Sequence, residues 1–237
     1  MGRSSGEYQM NDLNQHAHKA SIAGKIIAKL TKDGFAVAAS DGTRHDLFPV
    51  AMDPREGMAL QEWIRKENPA SVIDIGLGYG VAAINAIKAL LETRGDAFSL
   101  LTVDPYQDRR FSDLGLQFIG EIGVNNQIEF CKRQSELILP ELQQQGRKFD
   151  FAIVDGTHRF ECVFIELFYL NNLMASSSVI FLDDYQIPGV RKAIAFFLSN
   201  MQWTMEEVSE ASETHQWAVV RTRHEPLERT FKDFIDF

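Results

Sequence analysis

Three carboxylates and one histidine in the second half of the chain have the types and spacing to do chemistry. Asp155 follows the apolar run Phe151-Ala152-Ile153-Val154, and Asp183 and Asp184 follow Val179-Ile180-Phe181-Leu182. His158 comes three residues after Asp155. Each run reads as a strand buried on both faces, so the acids emerge where the strands end. If those strands are neighbours, like charges meet there, which is costly unless a cation joins them. Oxygen donors of this kind suit Mg2+, Mn2+ or Ca2+ rather than zinc. The imidazole of His158 can take a proton near pH 7. Simpler roles stand beside these. Asp155 could cap a helix starting near Thr157, Asp183 and Asp184 could be an exposed loop pair, and His158 could bond the backbone at a helix start.

A second set lies upstream. The run Val72-Ile73-Asp74-Ile75-Gly76-Leu77-Gly78-Tyr79-Gly80 carries a strand with an acid into glycines at alternate positions. Glycine has no Cβ, so such a turn adopts φ > 0 and lets a ligand lie against bare backbone. Val81 stands where a dinucleotide fingerprint needs its third glycine, which points away from NAD and towards S-adenosylmethionine (SAM). The next strand ends Leu101-Thr102-Val103-Asp104, where an acid accepts hydrogen bonds from a ribose. A helix cap or a solvated loop acid is the alternative for Asp104.

The elements that must position these residues alternate. Strands are predicted at Ser71–Ile75, Phe98–Val103, Ile128–Cys131, Phe149–Val154 and Val179–Leu182, with two more around Trp203–Val208 and Trp217–Arg221. Helical spacing fills Val81–Leu91, Phe111–Ile122, Ser135–Gln145, Phe160–Met174 and Gly189–Asn200. Such alternation predicts a doubly wound, mostly parallel α/β sheet, which binds ligands outside the carboxyl ends of its strands. Before it, residues 1–20 are polar and read as a loose arm, Ile22–Leu30 as a helix, and Phe35–Ala39 with Asp46–Val50 as a hairpin about Asp41-Gly42. Arg55–Lys66 reads as a short helix stopped by Asn68-Pro69. The division expected is residues 1–54 as an appendage and 55–237 as the main domain.

Composition narrows the classes of function. The 237 residues carry a formal charge of −9, which argues against non-specific binding to nucleic acid and against an anionic membrane surface. The two cysteines, Cys131 and Cys162, read as core thiols. His16, His18, His45, His215 and His224 read as surface residues. With no apolar leader and no apolar run near about 18 residues, a cytoplasmic protein is expected.

Taken as a set and in this order, the turn at Asp74–Gly80, Asp104, the Asp155-Gly156-x-His158 strand end and Val179–Tyr185 resemble the class I SAM-dependent methyltransferases. The resemblance spans roughly residues 55–221. Within the class the chain is similar to the cation-dependent O-methyltransferases: the catechol and caffeoyl-coenzyme A enzymes, and the bacterial enzymes that methylate sugars and aromatics of macrolide and aminocoumarin antibiotics. Asp183-Asp184-Tyr185 followed by Ile187-Pro188-Gly189-Val190 is most like the bacterial group.

The resemblance implies Mg2+ or another divalent ion on Asp155, Asp183 and Asp184. It implies SAM on Asp74, Gly76, Gly78, Gly80 and Asp104, with Asp74 near the ammonium group. Catalysis would fall to Asp155 and to His158, which stands where the catechol enzyme has a lysine base. Many relatives have Gly-Asp-Ser where this chain has Arg133-Gln134-Ser135, so the adenine contact falls to Gln134 or Ser135. The substrate expected is a small-molecule hydroxyl: a phenol, catechol or sugar. Tyr106, Phe111 and Tyr185 would line it, and the N-terminal segment would cover it or form a homodimer contact. Two rivals remain, a metal-independent N- or O-methyltransferase using His158 alone and a non-catalytic SAM-binding module. An NAD oxidoreductase is disfavoured by Val81 and by the lack of a Tyr-x-x-x-Lys pair.

Overall fold

The computed structural model describes residues 5–211, 214–223, 230 and 232–237; Gly2, Ser4 and His224 lie outside that set. Two compact units share the chain. One comprises Met1–Ala70, Gly78–Leu100 and Tyr106–Glu129, and the other Ser71–Leu77, Leu101–Pro105 and Phe130–Phe237.

The first unit opens with α1, a single helix over Ser5–Asp33. The loose arm expected for residues 1–20 is therefore helical from Ser5 onward. Its polar sequence hides long-range partners: Lys19 Nζ meets Asp96 at 2.8 Å and His16 Nε2 meets it at 3.3 Å. Ala20, Ala23, Ile26 and Leu30 recur at helical spacing and form its buried face. The hairpin is present as β1 (Phe35–Val37) and β2 (Arg44–Asp46), shorter than expected. Next come α2 (Pro54–Glu67), capped by the side chain of Asp53, and α3 (Val81–Arg94), which is buried nearly all round. The helix predicted over Phe111–Ile122 starts three residues later, at Leu114. A four-residue α4 (Gln107–Arg110) precedes α5 (Leu114–Ile122), because Ser112 and Asp113 both take positive φ.

One seven-stranded sheet runs through the fold. Its strands are β3 (Ser71–Ile75), β4 (Ser99–Val103), β5 (Ile128–Cys131), β6 (Phe149–Val154), β7 (Met174–Leu182), β8 (Thr204–Val208) and β9 (Ala218–Arg221), in the order β5-β4-β3-β6-β7-β9-β8. The sheet is mostly parallel, and the last strand in the chain, β9, is inserted antiparallel between β7 and β8. In the second unit α6 (Ser135–Gln144), α7 (Phe160–Leu173) and α8 (Pro188–Asn200) pack in succession. Ile73, Ala152, Ile180, Leu167, Leu170, Ile194 and Phe197 fill the core of that unit. Each of these Ile, Leu and Phe side chains taken from water contributes ~1.5–3 kcal/mol. Cys131 and Cys162 are free and only half-buried, so the expectation of core thiols holds in part.

Candidate active site

Parallel pairing sets the site. Ile75 pairs with Val154, and Val154 with Leu182. The ladder continues one residue further: Gly76 N–H donates to Val103, Asp155 N–H to Ile75, Asp183 N–H to Val154, and Asp104 N–H to Cys131. Gly76, Asp104, Asp155 and Asp183 therefore form one row just past the strand ends. Strand order also reverses between β3 and β6, and sheets of this kind bind ligands at such a reversal.

The row is crowded with acid. Donor atoms of Asp155, His158 and Asp183 all lie within 4.8 Å of one another, the only such group of three among the described residues. Burial lifts the Asp155 carboxyl well above the ordinary carboxylate range, and the adjacent Asp183 charge adds to the lift. Asp184 does not join the three. Its φ of +56° turns it aside, and its Oδ2 accepts from His158 Nδ1 at 2.6 Å. Burial opposes ionisation of Asp184, yet the His158 contact holds its carboxyl below the usual value. Burial likewise disfavours a charged His158, but Asp155 and Asp184 outweigh it and raise the imidazole to about 10. The Nε2 atom lies 3.6 Å from Asp155 Oδ1, beyond hydrogen-bond range, and is buried with no hydrogen-bond partner. Two repelling acids and an orphaned nitrogen around one point suit a divalent cation. Asp155 caps no helix, since α7 starts at Phe160.

Asp74 is fully buried on β3, where Thr102 Oγ1 donates to its Oδ2 at 2.9 Å while its buried Oδ1 has no partner. Burial pushes its carboxyl up to about 7. A cationic ligand group would satisfy that oxygen. Asp104 is 4% exposed and opens no helix, because α4 is capped at Tyr106. The glycines of the turn are obligatory in two places. A Cβ on Gly76 (φ +106°) would sit 2.0 Å from the Asp155 carbonyl oxygen, and one on Gly80 (φ +82°) 2.7 Å from Gly115 Cα. Gly78, at φ +51°, has open space around it, and its carbonyl accepts from the buried side chain of Gln107 at 2.7 Å.

These surroundings match a known domain. A family model described as a methyltransferase domain fits residues 73–185. Residues 73–185 are a methyltransferase domain. Solved structures agree on the fold. The O-methyltransferase TomG from Streptomyces achromogenes, which takes part in tomaymycin synthesis and was crystallised with SAM, is 18% identical with a TM-score of 0.64 over 85% of this chain and 89% of its own. An O-methyltransferase from Bacillus cereus, crystallised with SAH, is 14% identical with a TM-score of 0.63 over 86% of this chain and 91% of its own. At these identities the likeness is one of fold, the Rossmann-like sheet of class I methyltransferases.

Within the methyltransferase domain, Ser135 and Gln134 part company. Gln134 is exposed at the cap of α6, whereas Ser135 Oγ donates to Glu166 Oε1 at 2.7 Å. Glu166 is a polar residue that the sequence reading missed. It is 3% exposed, its Oε2 has no partner, and burial raises its carboxyl to about 7. The missed signal was its place on the apolar stripe Val163–Leu167–Leu170 of α7. Of the expected ring residues, Phe111 packs edge-on against Tyr79, Tyr106 lies under Arg110, and Tyr185 leans on the core. His45 meets Tyr79 and Ser112, and His16 meets Asp96, so neither is the bare surface residue expected.

Proposed function

We propose that this chain transfers a methyl group from SAM to a hydroxyl of a small molecule with the help of a divalent cation. The observation that carries this reading is the convergence of Asp155 and Asp183, each one residue beyond its strand, with His158 at the ends of adjacent strands of a methyltransferase domain. The likeness in fold to an O-methyltransferase of tomaymycin synthesis supports a small-molecule acceptor. The charge of −9 favours that over nucleic acid.

Each residue has a task. The turn at Gly76, Gly78 and Gly80 leaves backbone bare for the methionine end of SAM, and Asp74 offers an unpaired oxygen to its ammonium group. Asp104 takes the ribose hydroxyls, and Ser135, backed by Glu166, faces the base. Asp155 and Asp183 would hold the cation. A cation there supplies a Lewis acid that lowers the pKa of the acceptor hydroxyl and orients it. His158 directs Nε2 to the same point, since Asp184 fixes its other nitrogen, and a cation there would displace the Nε2 proton. The row thus positions an oxygen nucleophile for in-line attack, and positioning of this kind contributes up to ~7–11 kcal/mol in well-oriented cases. Residues 1–54 act as the cover of the acceptor or as a homodimer contact, with residues 55–237 as the catalytic domain.

The test is methyl transfer from labelled SAM to a panel of phenols, catechols and sugars, with and without EDTA. Product that appears with Mg2+ or Mn2+ and vanishes on chelation is the expected result. Full turnover in EDTA would remove the cation from the mechanism and favour His158 acting alone as base.

A further inference from the structure

We infer that His158 is itself a cation ligand, through Nε2, and that Asp184 is a positioning residue that holds the imidazole by Nδ1. This rests on the cation-dependent reading above and gives the ion a chemical class: a borderline first-row metal such as Mn2+, Fe2+ or Co2+ rather than Mg2+.

The backbone separates the two acids of the pair. Asp183 continues the β7 ladder into the row, while Asp184 turns through positive φ. Both oxygens of Asp184 are engaged, Oδ2 by His158 and Oδ1 by the Gln186 amide, so it faces its neighbours and not the row. His158 also takes a positive φ, +51°, a conformation costly for a residue with a Cβ. That conformation places a buried nitrogen without a hydrogen-bond partner inside the ring of acid oxygens, 3.6 Å from Asp155 Oδ1. A base for an incoming hydroxyl would stand outside that ring.

Metal-bound histidines characteristically donate their second ring N–H to a carboxylate, which fixes the tautomer and aims the free lone pair. The 2.6 Å contact between His158 Nδ1 and Asp184 has that form. Mg2+ takes oxygen ligands and keeps its waters, whereas an imidazole with two carboxylates suits the later divalent ions of the first transition row.

The experiment uses the full chain stripped with EDTA and reloaded with Mn2+, read by pulsed electron paramagnetic resonance. The expected spectrum shows nitrogen modulation from a directly bound imidazole, which changes on isotopic labelling of histidine. Mn2+ should bind at least about tenfold more tightly than Mg2+. His158→Ala should lose the modulation and that preference. Asp184→Asn should keep the modulation while Mn2+ affinity falls about 10–100-fold. Mn2+ bound without nitrogen modulation overturns the inference and leaves the cation-dependent reading intact. Failure of both Mn2+ and Mg2+ to bind at millimolar concentration overturns both. The wild-type spectrum decides the ligand even if a variant does not fold.

Discussion

Two polar clusters in this molecule, one running from buried Gln61 and Asn85 out to the surface and one buried, are built on opposite plans. In the first unit, Gln61, Asn85, Lys88, Arg65 and Glu92 close on one another. Gln61 Nε2 donates to Asn85 Oδ1 at 2.5 Å, Asn85 Nδ2 donates to the Val81 carbonyl, and Gln61 Oε1 accepts from both Lys88 and Arg65. Glu92 then receives the same two cations. In the second unit, Asp74 Oδ1, His158 Nε2 and Glu166 Oε2 are buried without partners. A closed set holds helices together. An open set is left for something the chain does not itself supply, because an unmet buried polar atom costs ~1–3 kcal/mol.

That contrast is testable from both sides. Asp155→Ala should cut turnover at least about a hundredfold, the scale of losing one preorganised electrostatic contact. The same change should leave SAM affinity within about tenfold and the melting temperature level or higher, since it relieves repulsion with Asp183. Loss of SAM binding would instead assign Asp155 to the cofactor. Gln61→Leu should do the reverse. It removes the donor to buried Asn85 Oδ1, costs about 1–3 kcal/mol of stability in a melt, and leaves SAM affinity unchanged.

Asp74→Asn gives a pH signature. The folded pKa is raised to about 7, so the native chain holds a proton that the unfolded chain has lost. Stability conferred by that proton is full below the ordinary carboxylate pKa and is lost as pH rises through 7. The variant should therefore melt with wild type near pH 4 and a few degrees higher at pH 8, while gaining less from added SAM. Glu166→Gln should show the same pH pattern with the smallest amplitude, and a difference from wild type that is the same at every pH would show that the Glu166 carboxyl titrates alike in the native and unfolded chains.

The strand ends were legible because period and position coincide: apolar runs of four or five residues stop at acids, and a parallel sheet aligns those stops. The N-terminal half of α1 was not. Lys19 and His16 owe their order to Asp96, 77 residues from Lys19, and no local pattern reports such a pairing. The late start of α5 was hidden because the apolar residue Phe111 precedes the positive-φ pair Ser112-Asp113 and extends the pattern back past it. Asp183 and Asp184 looked equivalent as adjacent acids, and only the backbone turn at Asp184 tells them apart. Glu166 was passed over because a single acid on an apolar helix face reads as an exception until its burial is known.

The segment between β8 and β9 reaches further than its position suggests. Gln216 N–H donates to Gln186 Oε1, Tyr185 N–H donates to the Gln216 carbonyl, and Gln186 in turn holds Asp184. Gln216 is fastened to Ser209. A deletion in this surface connection would slacken the grip on the imidazole without touching any acid. Sequence drift at the far edge of the sheet can thereby shift the His158 ring while Asp155 and Asp183 stay in place.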